Sequence, residues 1–255
     1  MDNGNEEREP IHSSAVVSAL PLEKAIHSVD REALLAAAAD PALTSDLALA
    51  LLKRADLPSE VLEEIAKNRT LQKLRPVKLA LASHARTPRH VSFPLVRQLC
   101  TFDLMKVALS PIVPADVKKT ADETLISRLK TITPGERLTL ARQASGRIAV
   151  ALLLDSEKRI MQAALENPHM TEAFVVQSVL KPEAAALVHG VSQHAKWSCR
   201  RDVQVALLRT EHLSLARALA FARNFSPVRL REILQTSRLP AKIKDQLLRE
   251  NLRTS

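Results

Sequence analysis

One short corner recurs along most of this chain and limits what it can fold into. An apolar residue or Thr is followed by Pro, Thr or Ser, and then by a helix-forming run. Copies stand at Leu43-Thr44, Leu57-Pro58, Thr87-Pro88, Val113-Pro114, Thr133-Pro134, Met170-Thr171, Leu213-Ser214 and Leu239-Pro240. Proline suits the first helical position, where its missing N–H is not needed, and a Thr or Ser hydroxyl can accept from a free N–H of the first turn. The plainest copy lies in KRIMQAALENPHMTEAFVVQSVL, residues 158–180. There Ile160, Met161, Ala164 and Leu165 share one helical face, Asn167-Pro168 ends that helix, and Thr171 is the expected N-cap of the next. Phe174, Val175, Val179 and Leu180 form a second apolar stripe. Neither helix can bury its stripe alone, so such pairs must stack on one another. Corner spacings of 14, 30, 26, 20, 37, 43 and 26 residues describe a degenerate repeat.

With 4 Gly and no Tyr, the composition favours helices over a β-rich fold and supplies no glycine-rich loop for a nucleotide phosphate. The predicted helices cover about 31–39, 44–54, 58–67, 72–84, 88–100, 102–109, 114–130, 134–143, 147–154, 158–165 and 171–180. Further helices follow over 183–189, 199–209, 213–223, 227–235 and 240–251, with a short element near His194. Thr133 and Glu136 have the spacing of a capping box. The reading is all-α: a short curved α-solenoid over 13–255, with helical caps and a disordered acidic leader at 1–12. No stretch reaches the length of a membrane span and no secretory signal is visible, so the expected setting is cytoplasmic. Cys100 and Cys199 lie in apolar helical contexts, where buried reduced thiols are expected.

Two units, ASHARTPRHVSFPLVRQL (82–99) and ALENPHMTEAFVVQSVL (164–180), resemble the leucine-rich repeat variant pattern. In that pattern a helix ends at an Asn-Pro or His-containing turn and Thr-Pro opens the next. The resemblance extends more weakly over 203–223 and loosely over 40–250. That class, like the related HEAT-type repeats, implies a curved α-solenoid that offers a binding surface and no chemistry of its own. The cysteine cluster of some relatives has no counterpart here.

The formal charge is +9, and it is uneven: residues 1–40 hold eight acidic and three basic side chains, which leaves +14 on the remainder. A basic body suits an anionic partner. Lys78, Lys106, Arg147, Lys158, Arg159, Arg201 and Arg229 form a loose ladder near helix starts, where positive charge is mildly unfavourable and asks for a reason. The most unusual composition is HGVSQHAKWSCRRD, 189–202, which adds Trp197 and Arg200 to the candidate binding residues. His189, His194, Cys199 and His212 match no zinc-ligand frame, so no metal or other cofactor is expected. His84, His90 and His169, at corners, are expected to hydrogen-bond free backbone groups there. No nucleophile, base and orienting carboxylate can be assembled from the sequence.

The leading functional expectation is a non-catalytic scaffold that binds another macromolecule, a protein of acidic character. The alternative is a sequence-nonspecific nucleic-acid-binding module that uses the basic ladder on phosphates; it lacks aromatic interleaving for base stacking. A third reading, a HEAT-like DNA glycosylase, needs Trp197, Arg201 and Asp202 around one concave pocket. Trp197 as the anchor of a joint between repeats is the structural alternative.

Overall fold

A computed structural model of the chain describes residues 21–254, and the expected leader at 1–12 lies outside them. The first helices are α1 (Leu22–Ala25), α2 (Arg31–Ala39), α3 (Ser45–Leu52), α4 (Ser59–Lys67), α5 (Arg69–Lys73) and α6 (Arg75–Ser83). Next come α7 (Arg89–Gln98), α8 (Thr101–Leu109), α9 (Ala115–Arg128), α10 (Pro134–Gln143), α11 (Gly146–Leu152) and α12 (Lys158–Leu165). The last are α13 (Glu172–Val179), α14 (Ala185–Gln193), α15 (Arg201–Arg209), α16 (Leu215–Ala222), α17 (Pro227–Gln235) and α18 (Ala241–Thr254). The described residues are thus all-α.

Corner chemistry sets the helix starts. The Thr44, Thr133 and Thr171 hydroxyls accept from Leu47, Glu136 and Phe174 N–H, and Glu136 returns the bond to complete its capping box. Pro58, Pro88 and Pro114 stand immediately before α4, α7 and α9. The stretch expected as one helix over 72–84 is two elements instead. Leu74 turns to an extended conformation between α5 and α6, and Pro76 enters the first turn of α6. The element expected near His194 is a corner that follows α14.

Apart from α1 and α5, the helices alternate between two rows. In one row α2 packs on α4, and α7, α9, α11, α13, α15 and α17 pack successively on one another. The His90–Glu63 contact, at 3.7 Å, joins α4 to α7. The remaining helices, α3, α6, α8, α10, α12, α14, α16 and α18, form the other row. There α3 packs on α6, α6 on α8, α10 on α12, α12 on α14 and α16 on α18, and pairs such as α6 with α7, α8 with α9 and α17 with α18 pack across the rows. The first-row helices run in one direction. Arg31 and Glu60 meet at the starts of α2 and α4, 2.8 Å apart, and Arg89 meets Asp116 at the starts of α7 and α9. At the opposite ends Arg128 of α9 donates to Leu99 O beyond α7, at 2.7 Å, and Arg238 N–H to Arg209 O of α15, at 2.9 Å. First-row helices begin at residues 31, 59, 89, 115, 146, 172, 201 and 227. Each is preceded by a buried side chain: Ile26, Leu57, Thr87, Val113, Ala144, Met170, Trp197 and Phe225. One core cluster extends from Ala25 to Leu247. Neighbouring helices of the first row approach closely where side chains are small: a Cβ on Gly146, at the start of α11, would lie 2.7 Å from His169 O, at the corner before α13.

Polar side chains tie each corner to one a helix pair earlier. Arg54 donates to Ile26 O and Ser28 O, at 2.9 and 2.7 Å. His84 Nε2 donates to Arg54 O at 2.8 Å while Nδ1 accepts from Arg86 N–H, which sets the neutral Nε2–H tautomer. Asn167, fully buried, donates to Ala141 O and Ala144 O and accepts from His169 N–H. Trp197 Nε1 donates to Leu165 O at 2.8 Å, Ser237 Oγ to Leu208 O at 2.6 Å, and Asn251 to Ala222 O and Phe225 O. These bonds span 23 to 32 residues and satisfy carbonyls at helix ends that have no partner within their own helix. Of the three corner histidines singled out, only His84 acts in this way. The side chains of His90 and His169 are exposed, although His90 reaches Glu63.

Replacing Asn167 by Asp removes two donors and sets a buried anion against two carbonyls. Urea denaturation followed by circular dichroism is expected to show a loss of about 3 kcal/mol or more. Trp197→Phe, which leaves Leu165 O without its donor, is expected to cost about 2 kcal/mol.

Candidate binding surface

The basic ladder does not form one row. Lys78, Lys106, Lys158 and Arg159 belong to second-row helices, and Arg147, Arg201 and Arg229 to first-row helices. Lys106 stands in the last turn of α8, not at a start, 3.9 Å from Asp103. The first-row cations that open helices have local counterparts. Arg147 approaches Glu123 of α9 at 3.6 Å, Arg229 meets Glu232 at 2.6 Å, and the Arg201 guanidinium lies 5.5 Å from the centre of the Phe225 ring. With the Arg31–Glu60 and Arg89–Asp116 pairs, they explain why positive charge is tolerated in first turns: carboxylates of neighbouring turns and an aromatic face offset the helix dipole. Lys78 bonds Gln98, whereas Lys158, Arg159 and Arg200 are exposed. Trp197 is 2% exposed and belongs to the core; Lys196 lies 4.3 Å from its ring centre. It cannot stack on a ligand in this arrangement, and Asp202 is exposed on a different surface.

Two buried carboxylates escaped the sequence reading. Asp103, with its side chain 2% exposed, takes both arms of the Arg75 fork, at 2.6 and 3.0 Å, and accepts from Cys100 Sγ. The Arg75 hydrogen bonds hold its pKa below the usual carboxylate value against the opposing effect of burial. Asp122 behaves oppositely: burial raises its pKa, while the Ser145 hydroxyl, at 2.7 Å, and nearby Arg147 partly offset the rise. Both cysteines are exposed, contrary to the buried thiols expected, because each sits at a corner and not on an apolar stripe. Among the described residues no group of three His, Cys, Asp or Glu side chains is placed to hold a metal ion, and His189, His194, Cys199 and His212 do not converge. No helix among them is long and apolar enough to cross a membrane.

One surface with developed relief lies on the first row. A groove of ≈ 490 Å³ runs over α13, α15 and α17. Asp202, Val205, Ala206 and Arg209 of α15 line it at helical spacing, and so do Glu172, Ala173, Val176 and Leu180 of the α13 segment. A second cavity, of ≈ 270 Å³, opens where these helices end and shares Leu180 and Arg209 with the groove. Lys181, His212 and Arg238 contribute to its wall. Leu180, expected on a buried stripe, is 38% exposed here. The 202–205–206–209 spacing was available in the sequence, but outward- and inward-facing stripes look alike until a neighbouring row is placed.

No family model, curated protein or solved structure matches the chain.

Asp122 binds its proton more tightly in the folded chain than in the unfolded one, so its contribution to stability is present at low pH and is lost as pH rises through the raised pKa. Asp122→Asn should therefore raise the melting temperature at neutral pH, with the gain vanishing as pH falls toward about 4, the ordinary carboxylate range. Melting curves across that interval check the sign. Separately, a maleimide should label Cys100 and Cys199 rapidly in the native protein, whereas buried thiols would react only after denaturation.

Proposed function

We propose that the chain is an α-solenoid scaffold of irregular HEAT-like or leucine-rich-variant helical pairs that binds another protein without catalysing a reaction. The observation that carries this reading is the first-row groove, where exposed Ala173 and Leu180 and half-buried Val176 and Val205 lie between charged side chains on adjacent parallel helices. A mixed surface of this kind suits a protein segment. The alternation of two helix rows, with starts 26 to 31 residues apart in the first, supports the solenoid assignment. The proposal places the protein in the cytoplasm, where exposed unpaired thiols persist in reduced form.

The nucleic-acid alternative rests on the positive charge of the body and the exposed Lys158, Arg159, Arg200 and Arg201. Fluorescence anisotropy with a labelled generic duplex and single strand separates the two. A protein scaffold should give no tight binding at moderate salt, whereas micromolar binding that falls steeply with salt would replace this proposal with the phosphate-binding one. Quantitative affinity capture adds a positive test. Proteins retained by the wild-type chain should be lost with Val205→Lys in the groove, while circular dichroism of the variant stays unchanged. Retention of the same proteins would move the binding surface elsewhere.

A further inference from the structure

We infer that the groove over α13 and α15 takes a short peptide segment of fixed polarity: a basic residue at one end, apolar residues in the middle and an acidic residue at the other. This rests on the protein-binding reading and adds to it the chemistry of the partner. On both helices the same order is presented in the same direction. Asp202 stands at the start of the α15 stripe, Val205 and Ala206 follow, and Arg209 ends it. Glu172 starts the α13 stripe, Val176 and Leu180 follow, and Lys181 stands just beyond it. Because first-row helices are parallel, the two acidic starts meet at one end of the groove and the cations at the other. Arg229 also borders the acidic end, but Glu232 engages it at 2.6 Å.

The helix dipole favours acids in first turns and bases in last turns, and so accounts for the end charges by themselves. It does not account for the apolar surface between them, nor for Arg209. The Nε of Arg209 is buried and has no acceptor in the structure. Lys181, Arg209 and Arg238 have no ion-pair partner among the described residues, and all three border the ≈ 270 Å³ cavity at the end of the groove; the one carboxylate in its lining, Glu211, lies 3.6 Å from His212 and leaves the cations in excess. Three cations without ion-pair partners around one cavity are the arrangement that an incoming carboxylate neutralises, through the accessible part of the Arg209 guanidinium. The other end asks for the opposite charge. Glu172 and Asp202 would meet the basic residue of the segment, and they would repel a polyanion laid along the same groove, which is why a peptide and not a nucleic acid fits it. Asp202 and Arg209 stand seven positions apart on α15, so the two charges on the ligand should lie about 10 Å apart.

The test pans a random dodecapeptide display library on the full chain and measures labelled synthetic versions of the enriched peptides by fluorescence anisotropy. Enriched sequences should place Lys or Arg and Asp or Glu on either side of apolar residues. Arg209→Gln, which keeps much of the stem and leaves the backbone bond to Arg238 in place, should weaken them by about tenfold or more. The charge-swapped chain, Asp202→Arg with Arg209→Asp, should prefer the same peptides synthesised with their charged residues exchanged. Enriched peptides unaffected by Arg209→Gln would overturn the charge-paired groove and leave the protein-binding reading standing. Competition by a generic single-stranded oligonucleotide would overturn the fixed polarity in favour of a polyanion. Absence of any enrichment would overturn both readings.

Discussion

The hydrogen bond from a corner side chain to a carbonyl one helix pair earlier is the interaction on which this structure depends. A short helix leaves its last carbonyls without partners, and eighteen short helices among the described residues create that problem many times over. Arg54, His84, Asn167, Trp197 and Asn251 solve it with different donors where second-row helices end, and Ser237 does so where first-row α17 ends. Each bond contributes only about 0.5–1.5 kcal/mol, but loss of the donor strands a buried carbonyl at about 1–3 kcal/mol. The apolar stripes supply the drive to stack; these bonds set the register in which stacking occurs.

Electrostatics reinforces that register at the helix starts of the first row. Arginines that open helices would be mildly destabilising alone, yet Arg31, Arg89 and Arg147 each face a carboxylate on the adjacent helix. Such pairs are weak when exposed, near 0–1 kcal/mol each. Their geometric effect is clearer: they align neighbouring helix starts and remove much of the free positive charge that the sequence suggested was available. Charge without a partner remains where the α13, α15 and α17 segments end, beside the groove.

Much of the fold could be read from local chemistry. Helix type, the caps at Thr44, Thr133 and Thr171, and the joint made by Trp197 all follow from residue identity and spacing. The corner spacing looked irregular because two series had been merged. Leu43, Thr133, Leu213 and Leu239 precede second-row helices, while Leu57, Thr87, Val113 and Met170 precede first-row helices. Ile26, Ala144, Trp197 and Phe225 complete the first series; the last three are followed by Ser and fit the same corner pattern, but they were not counted among its copies. The binding surface was less legible. Lateral pairing depends on which helices become neighbours, so the exposed thiols, the Arg75–Asp103 fork and the outward face of α15 appear only after stacking.

The reach of the corner bonds also governs how such a chain can assemble. Each closes a loop of only about one helix pair, and the closely packed helices lie within three positions of one another along the chain. Ordering any neighbouring pairs therefore carries a small loop-closure entropy, since that cost grows only with the logarithm of the intervening length. Among the described residues, no extensive helix packing waits for the two ends of the chain to meet. Folding can begin at whichever pairs are locally strongest and spread in both directions, at the speed that low contact order confers. In the reverse direction, terminal pairs can open while the middle stays ordered, so the ends have the lowest opening free energy.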